Sequence, residues 1–230
     1  MRRTLVILSV LLLPLPIFAN DTAMIGAGGT VEPMRQHDSI RLIKERVDVR
    51  LMGLRPAKVR CEFLFKNEGK SPVTVKMGFP VHASGDVRPI KSTNLRNFRS
   101  YVDGKPIKTR FAQARPTTES QYKAWYVKNV SFAPGQTRKV VDIYGSPLGD
   151  AFIRTNRIDH FFHYILTTGR NWKGPIGEAV IAVDISYMPK GYVLEAARPN
   201  NYFLRGSRLT WTMRNFEPNE NIGLDFGQSN

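Results

Sequence analysis

The sequence contains one cysteine, Cys61, so no disulfide bond can form within the chain. A chain without disulfides depends on its hydrophobic core alone for stability. Cys61 lies between Val59 and Phe63 on the apolar side of a predicted strand, and apolar surroundings raise the pKa of a thiol. We therefore interpret Cys61 as a buried structural residue and not as a nucleophile.

Long hydrophobic runs are lacking after the first twenty residues. Near the start, Arg2 and Arg3 precede an apolar run over residues 5–13, and a proline-containing segment then ends at Ala19. This order is typical of a secretory signal peptide, and the run has about half of the roughly 20 residues that a membrane helix needs. We expect residues 1–19 to be a signal peptide. The mature protein is then periplasmic or secreted, without a transmembrane segment.

Patterns of known catalytic chemistry are also scarce. No Gly-x-Ser-x-Gly elbow is present. The 19 acidic residues are sparse and do not indicate the paired carboxylates of a glycosidase. Gly26, Gly28 and Gly29 lack the flanking strand and helix of a phosphate-binding loop. The sequence therefore predicts a non-enzymatic protein without a cofactor.

Histidine is rare, with four residues in the chain, and it supplies the enzymatic alternative. His160 and His163 are three residues apart, a spacing that places both on one face of a helix but on opposite faces of a strand. The two phenylalanines between them favour a strand, which does not provide the frame of a zinc site. The alternative hypothesis is a metal-dependent hydrolase with its site near these two histidines.

Positive charge is what the chain has in excess, with 34 lysines and arginines and a formal net charge of +15 at pH 7. An exported protein of this charge meets anions of the cell envelope. Basic and aromatic residues mix at residues 96–101, 110–115 and 170–173, as they do in nucleic-acid-binding proteins. Strands with aromatic inner and basic outer residues explain the same mix, so we do not predict nucleic-acid binding. The predicted partners are an anionic glycan, a lipid headgroup or an envelope protein.

Trp172 is the strongest candidate for a binding residue. It lies in a glycine-flanked turn between Arg170 and Lys173. An exposed indole beside two cations would suit an anionic glycan or a membrane interface. We therefore predict Trp172, Arg170 and Lys173 as binding residues, and no resident metal.

Alternation of apolar and charged residues indicates the fold class. Over residues 57–81, one apolar set precedes a polar turn at residues 66–70 and a second set follows it, which predicts an antiparallel hairpin with one buried face. The first set is Val59, Cys61, Phe63 and Phe65, and the second is Val73, Val75, Met77 and Phe79. Residues 39–54 predict another strand, in which the alternation slips near residues 43–46, as it does at a β-bulge.

Further strands and one helix are expected in the middle of the chain. The turn Asp103-Gly104 predicts a second hairpin over residues 101–111. Capping-box spacing, followed by aromatic residues at helical intervals, predicts a short helix over residues 119–125. Residues 127–132 and 138–144 predict two strands joined by a Pro-Gly turn.

The last third of the chain is also expected to form strands. The aromatic strand 160–167 should pair with the alternating strand 179–187, and short strands follow to the end of the chain. Short strands at this spacing predict an all-β fold, an antiparallel β-sandwich of one or two sub-sandwiches. A break at residues 145–150 divides the chain into an N-terminal β portion, 20–145, and a C-terminal β portion, 146–230, packed on it as one or two domains.

Short motifs spread over most of residues 26–226 carry a family resemblance. They are Gly28-Gly29, Gly78-Phe79-Pro80, Trp125-Tyr126, Trp172-Lys173-Gly174 and Asn215-Phe216-Glu217-Pro218. Together they resemble a bacterial exported family known only as a domain of unknown function. That family is similar in turn to the N-terminal half of the vault and inter-alpha-trypsin domain. The resemblance implies an extracytoplasmic β-sandwich and supplies no catalytic residues.

These observations define a leading hypothesis and two alternatives. We expect an exported, non-enzymatic binding or structural module of the bacterial envelope, which recognises an anionic component or a protein partner. The metal-dependent hydrolase at His160 and His163 is the first alternative. A subunit that assembles through free sheet edges is the second.

Overall fold

The computed structural model describes residues 32–33, 37–81, 95–113, 124–154 and 157–229. In these ranges the chain forms sixteen β-strands and a 3₁₀ turn at Thr167–Asn171. The strands are β1 (Glu32–Pro33), β2 (Ile40–Met52), β3 (Arg55–Asn67), β4 (Val73–Pro80), β5 (Arg96–Val102), β6 (Lys105–Ile107), β7 (Arg110–Gln113), β8 (Ala124–Phe132), β9 (Thr137–Ser146), β10 (Gly149–Arg154), β11 (Arg157–Tyr164), β12 (Ile176–Asp184), β13 (Tyr192–Arg198), β14 (Phe203–Arg205), β15 (Arg208–Phe216) and β16 (Ile222–Gln228).

The strands form three sheets that pack as a sandwich. The largest sheet has eight strands in the order β14-β15-β12-β2-β3-β9-β5-β6, and two four-stranded sheets have the orders β1-β4-β8-β7 and β10-β11-β16-β13. Neighbours are antiparallel except for β2 and β12, which are parallel. One hydrophobic core includes inner residues of all three sheets, such as Phe63, Met77 and Phe162. The predicted all-β sandwich is therefore confirmed, and Cys61 is buried in its core.

The sequence predicted a signal peptide over residues 1–19 and no transmembrane segment after it. The part of the chain that the structure describes contains no helix with the length and apolar character needed to cross a bilayer. Residues 1–19 lie outside that part, so the signal peptide stays a prediction.

Residues 57–81 contain two strands, but these strands do not form the predicted hairpin. β3 pairs with β2 and β9 in the large sheet, whereas β4 pairs with β1 and β8 in a small sheet. The polar turn is therefore an arch that carries the chain between layers, and the turn from β8 to β9 is a second arch. Alternation identified the buried faces correctly. It cannot distinguish a paired neighbour from a strand in the facing sheet, because both bury the same residues.

Asn67 ties the two arches together at one end of the sandwich. Its Nδ2 donates to the carbonyl oxygens of Ser71 at 2.9 Å and Ala133 at 3.1 Å, and its Oδ1 accepts from the Gly69 N–H at 2.9 Å. The backbone N–H of Asn67 donates to the carbonyl of Gln136 at 2.9 Å. A single buried side chain thus satisfies backbone groups of both turns, as burial of such groups requires.

Two local predictions are confirmed by the backbone. β2 has a bulge where its register with β3 shifts between Leu42 and Lys44, which explains the slip in alternation. β5 and β6 form the second predicted hairpin around its turn, in which Asp103 has φ 51° and Gly104 has φ 80°. Positive φ at both central residues is the requirement of a type I′ turn, and Asp-Gly meets it. The second strand is shorter than predicted, since residues 110–111 belong to β7 and pair with β8 in a small sheet.

The predicted helix over residues 119–125 is wrong at its C-terminal end. Ala124 and Trp125 begin β8 and pair with β7 and with the end of β4. Residues 119–123 lie outside the described residues. Pairing with strands distant in sequence outweighed the helical spacing of the aromatic residues, because local propensity is a weak determinant beside tertiary contacts.

The predicted partner of the aromatic strand is also wrong. β11 pairs with β10 and β16, whereas β12 pairs with β15 and lies parallel to β2. The β2–β12 pairing joins the chain segments on either side of residue 145 within one sheet. The division into portions 20–145 and 146–230 stays a prediction about domains.

Gly177 allows β12 to approach the bulge of β2. A Cβ at position 177 would lie 2.4 Å from the carbonyl oxygen of Ile43, the bulged residue. The carbonyl oxygen of Ile43 is part of the backbone and cannot move without distorting β2. Gly177→Ala should therefore lower the free energy of unfolding by about 1–3 kcal/mol, the usual cost of overpacking. Urea denaturation measures the change. Gly191→Ala is the control, since a Cβ there meets no atom within 4 Å, and an equal loss in both variants would contradict the explanation.

Candidate functional site

The outer face of the large sheet carries a line of charged residues. Residues that pair across neighbouring strands and point to the same side form a row perpendicular to the strands. One outward row crosses six strands through the backbone register. Its members, in spatial order, are Arg96, Gly145, Lys58, Arg50, Asp184 and Arg208, and we call it the charged row. Five steps between strands make it about 24 Å long.

The charged row lines a groove of about 620 Å³. The neighbouring outward row contributes Arg99, Ile143, Arg60 and Asp48 to the same groove. The lining thus includes six basic and two acidic side chains. On β9, the central strand of this region, Gly145 and Ile143 form an uncharged floor between the basic residues of β5 and β3.

The two acidic side chains neutralise one end of the groove. Asp48 accepts hydrogen bonds from Arg46 at 2.8 Å and from Arg208 at 2.7 Å. The carboxylate of Asp184 lies 3.6 Å from the guanidinium of Arg50. Although burial acts to raise it, the pKa of Asp184 is held below its usual value by hydrogen bonds from Ser186 and by the nearby arginines. This end therefore consists of ion pairs.

Among the described residues, the other end of the groove has positive charge without an acidic partner. Lys58, Arg96 and Arg99 are exposed and form no ion pair or side-chain hydrogen bond with any described residue. In addition, Lys58 lies directly opposite Arg50 across β3 and β2, and like charges in that position destabilise a sheet. A bound anion would offset this repulsion.

A β-bulge directs both arginines of β5 toward the groove. In a regular strand, residues three apart face opposite sides. The register with β9 shifts between Arg96 and Arg99, and Asn97 has φ 53°. Phe98 between them points inward, where its ring stacks on Tyr126 with centroids 4.2 Å apart. The bulge thus places two cations outside while an aromatic ring anchors the strand inside.

Trp172 is not the exposed residue that the sequence predicted. It is 2% exposed, and its ring packs on Phe65 with centroids 4.5 Å apart. The following residue, Lys173, donates its backbone N–H to the carbonyl of Ile40 at 2.9 Å, which holds the turn against β2. The predicted exposure of Trp172 was wrong, because the composition of a turn does not reveal whether the turn folds over the core.

Arg170 and Lys173 lie on the surface but not in the groove. Arg170 is exposed, and the Lys173 ammonium lies 3.0 Å from the carboxylate of Glu68. Lys173 contacts the start of β2 at Ile40, whereas the groove meets β2 at Arg50, roughly 30 Å along the strand. The structure does not bring these residues to the groove, and a binding role for them stays a prediction.

His160 and His163 lie on β11, as the strand interpretation predicted, and alternation directs them to opposite faces. His160 Nδ1 lies 2.8 Å from Asp150 Oδ1, and its Nε2 lies 3.3 Å from the Tyr192 hydroxyl. His163 packs on Phe161, and burial lowers the pKa of its imidazole. The described ranges contain no group of three or more potential ligands placed to hold a metal ion. The hydrolase alternative stays a prediction.

Sequence reasoning missed the groove because its residues come from several strands. Arg96 and Arg99 belong to the basic and aromatic mix over residues 96–101, which alternation alone explained. The Asn between two arginines was a usable signal, since Asn tolerates positive φ better than most residues and so suits a bulge. Lys58, together with the residues of β2 and β15, joins this site only through pairing over long sequence separations.

By its fold and outer face, the chain is a β-sandwich domain with a basic groove across its larger sheet. A family model described as a domain of unknown function (DUF4424) matches residues 19–121. The match spans β1 to β7. It agrees with the sequence resemblance to a domain of unknown function, while the likeness to the vault domain stays a prediction. A search of curated proteins finds no match.

The solved structures that are similar to the chain include the following two. The first is a candidate nutrient binding protein from Legionella pneumophila, with a TM-score of 0.72 and 20% identity, covering 90% of this chain and 72% of that chain. The second is an M1 zinc metallopeptidase from Deinococcus radiodurans, with a TM-score of 0.37 and 11% identity, covering 84% of this chain and 43% of that chain. The first likeness shows the fold alone, and the second is too low to carry an argument.

Proposed function

We propose that this protein is an exported binding module that recognises an anionic ligand through the groove on its large sheet. The observation that carries the proposal is the uncompensated end of the groove, where Lys58, Arg96 and Arg99 have no acidic partner among the described residues. Basic side chains that line a concave surface raise the local concentration of anions. The proposed compartment is the periplasm or the extracellular space, because residues 1–19 have the pattern of a signal peptide.

The composition of the groove favours binding over catalysis. Its described lining contains arginine, lysine and two ion-paired aspartates, but neither histidine nor cysteine. Guanidinium groups stay charged and present several donors to an oxyanion. Histidine is the side chain that most often serves general acid–base catalysis. The Legionella protein of similar fold, a candidate nutrient binding protein, is compatible with a binding role.

Binding to anionic vesicles tests the proposal. The mature protein should sediment with vesicles that contain phosphatidylglycerol, and the binding should weaken as salt is added. The double variant Arg96→Ala with Arg99→Ala should bind about 30-fold more weakly, because each cation near an anionic membrane contributes about 1 kcal/mol. Co-sedimentation over a range of vesicle concentrations measures the affinity.

Arg110→Ala with Lys70→Ala is the matched control. Both side chains are exposed and lie off the groove, and the two substitutions together remove two positive charges, as the groove variant does. If this control lost as much binding as the groove variant, the attraction would come from net charge and the groove proposal would fail. A wild-type protein that binds no anionic vesicle at low salt would also refute it.

A further inference from the structure

We infer that the groove contains a seat for one phosphate group, centred over Gly145. This inference rests on the proposed function and assigns the chemical class and the position of the ligand. Gly145 is the member of the charged row without a side chain, and its backbone register places it between Arg96 on β5 and Lys58 on β3. The backbones of the two basic residues are thus about 10 Å apart, with the glycine as the floor between them.

The glycine leaves space that any other residue would fill. A Cβ on Gly145 would lie 3.3 Å from the Cβ of Arg96, a contact that forces the neighbour to move. Without that atom, a ligand can approach the backbone of β9 closely, which is a recurrent use of glycine beside phosphate groups. The next row places Arg99 and Arg60 on either side of Ile143. Four basic side chains from the described residues therefore surround one stretch of β9.

The placement of the basic residues favours a phosphate over a carboxylate. Arg96 and Lys58 lie on opposite sides of the seat in one row. Arg99, in the next row, places a third cation beside the seat from another direction. A phosphate group presents three or four oxygens in a tetrahedral arrangement, whereas a carboxylate presents two in one plane. Arg60 already lies 2.6 Å from the carboxylate of Glu62. We therefore assign the phosphate contacts to Arg96, Arg99 and Lys58.

The rest of the ligand should carry little charge. Beyond Lys58, the charged row continues into the end of the groove where Asp184 lies beside Arg50 and Asp48 accepts from Arg208. The four charged side chains that line this end, Arg50, Arg208, Asp48 and Asp184, offer hydrogen-bonding groups but carry no net charge together. A phosphoester with an uncharged polar body fits this groove better than a uniformly anionic chain. Free phosphoesters and phospholipid headgroups both have this chemistry.

Calorimetric titration with inorganic phosphate at constant ionic strength tests the seat. The wild-type protein should bind phosphate and should not bind acetate at the same concentrations. Gly145→Ala keeps every charge and narrows the seat, so phosphate binding should weaken at least about tenfold through loss of a charge-assisted contact. Its vesicle binding at low salt should stay within about twofold of wild type, because that attraction depends on charge. Gly191→Ala, which adds a methyl group in open space, should bind phosphate normally.

A second variant keeps the inference testable if Gly145→Ala disturbs the fold. Lys58→Met removes an exposed charge and should also weaken phosphate binding at least about tenfold. Phosphate binding that neither variant changes, or equal binding of acetate, would overturn the seat. The groove proposal would then survive if vesicle binding still responded to Arg96→Ala with Arg99→Ala.

Glycerol 3-phosphate separates the two sources of the phosphate group. If the ligand is a free phosphoester, glycerol 3-phosphate should bind more tightly than inorganic phosphate and release the protein from vesicles. If the ligand is a headgroup, vesicles of phosphatidylglycerol should retain the protein at physiological salt in the presence of glycerol 3-phosphate. Either result supports the seat. The seat would be refuted if glycerol 3-phosphate neither bound the protein nor competed with vesicles, and if the protein also left the vesicles at physiological salt.

Discussion

Replacement of Lys128 by alanine should lower the free energy of unfolding by about 3–5 kcal/mol, the largest loss that we expect from a single polar residue. The side chains of Lys128 and Asp142 are 0% exposed and form an ion pair at 2.6 Å between β8 and β9, in facing layers of the sandwich. Ser100 on β5 accepts a further hydrogen bond from the ammonium at 2.8 Å. Without Lys128, the carboxylate of Asp142 would be buried without its counter-charge. Urea denaturation followed by fluorescence measures the loss.

Two further variants separate burial from charge in this pair. Burial lowers the pKa of Lys128, and Asp142 opposes that change, so the ammonium depends on its partner to stay charged. Lys44→Ala removes the same charge from a side chain that is 58% exposed and pairs with Glu178, and it should cost less than about 1 kcal/mol. Lys128→Met with Asp142→Leu removes both charges and should be more stable than Lys128→Ala. A loss below about 1 kcal/mol for Lys128→Ala would contradict the role of the pair.

The sequence predicts that Lys128 and Asp142 both point inward, but it does not predict that they pair with each other. Lys128 is in phase with the buried Val130 and Phe132, so alternation directs it to the core. Asp142 is in phase with Val140 and Tyr144 on β9 in the same way. The two charges meet across the layers because the turn between β8 and β9 is an arch. Alternation does not reveal whether a turn is an arch or a hairpin.

The same distinction explains which strand pairings were predictable. The turn Asp103-Gly104 is short and needs positive φ at both residues, so its composition implies a hairpin between β5 and β6. The turn over residues 66–70 is longer and permits either a hairpin or an arch. The parallel pairing of β2 with β12 joins strands far apart in sequence, and no local pattern specifies such a contact. Strands and buried faces therefore follow from the sequence better than sheet order does.

The groove was the least predictable feature, because it requires sheet order and register together. The basic outer residues of β3 and β5 and the excess of positive charge are visible in the sequence. Only the placement of β9 between these strands positions Gly145 between Lys58 and Arg96. A glycine in a strand otherwise indicates a bulge or a close approach, and the identity of the approaching group depends on the neighbouring strands.

Replacement of Trp172 by alanine should lower the free energy of unfolding by about 3–5 kcal/mol, the usual cost of truncating a buried aromatic side chain. Its indole is buried against Phe65, and the two ring centroids lie 4.5 Å apart. If Trp172 were an exposed binding residue, Trp172→Ala would abolish binding in a folded protein. We instead expect Trp172→Ala to lose binding only when it also loses the fold. Urea denaturation followed by circular dichroism measures stability without depending on the fluorescence of the deleted residue.

Trp172→Phe and Arg170→Ala distinguish a core residue from a binding residue in this turn. Trp172→Phe keeps an aromatic ring against Phe65 and should lose less stability than Trp172→Ala. Its phosphate binding should be unchanged, because the indole packs in the core whereas the proposed seat lies on the outer face of the large sheet. Arg170→Ala changes an exposed side chain and should alter stability by less than about 0.5 kcal/mol. If the folded Trp172→Phe protein lost phosphate or vesicle binding, the turn and not the groove would hold the ligand. Normal binding by that variant would assign Trp172 to the core.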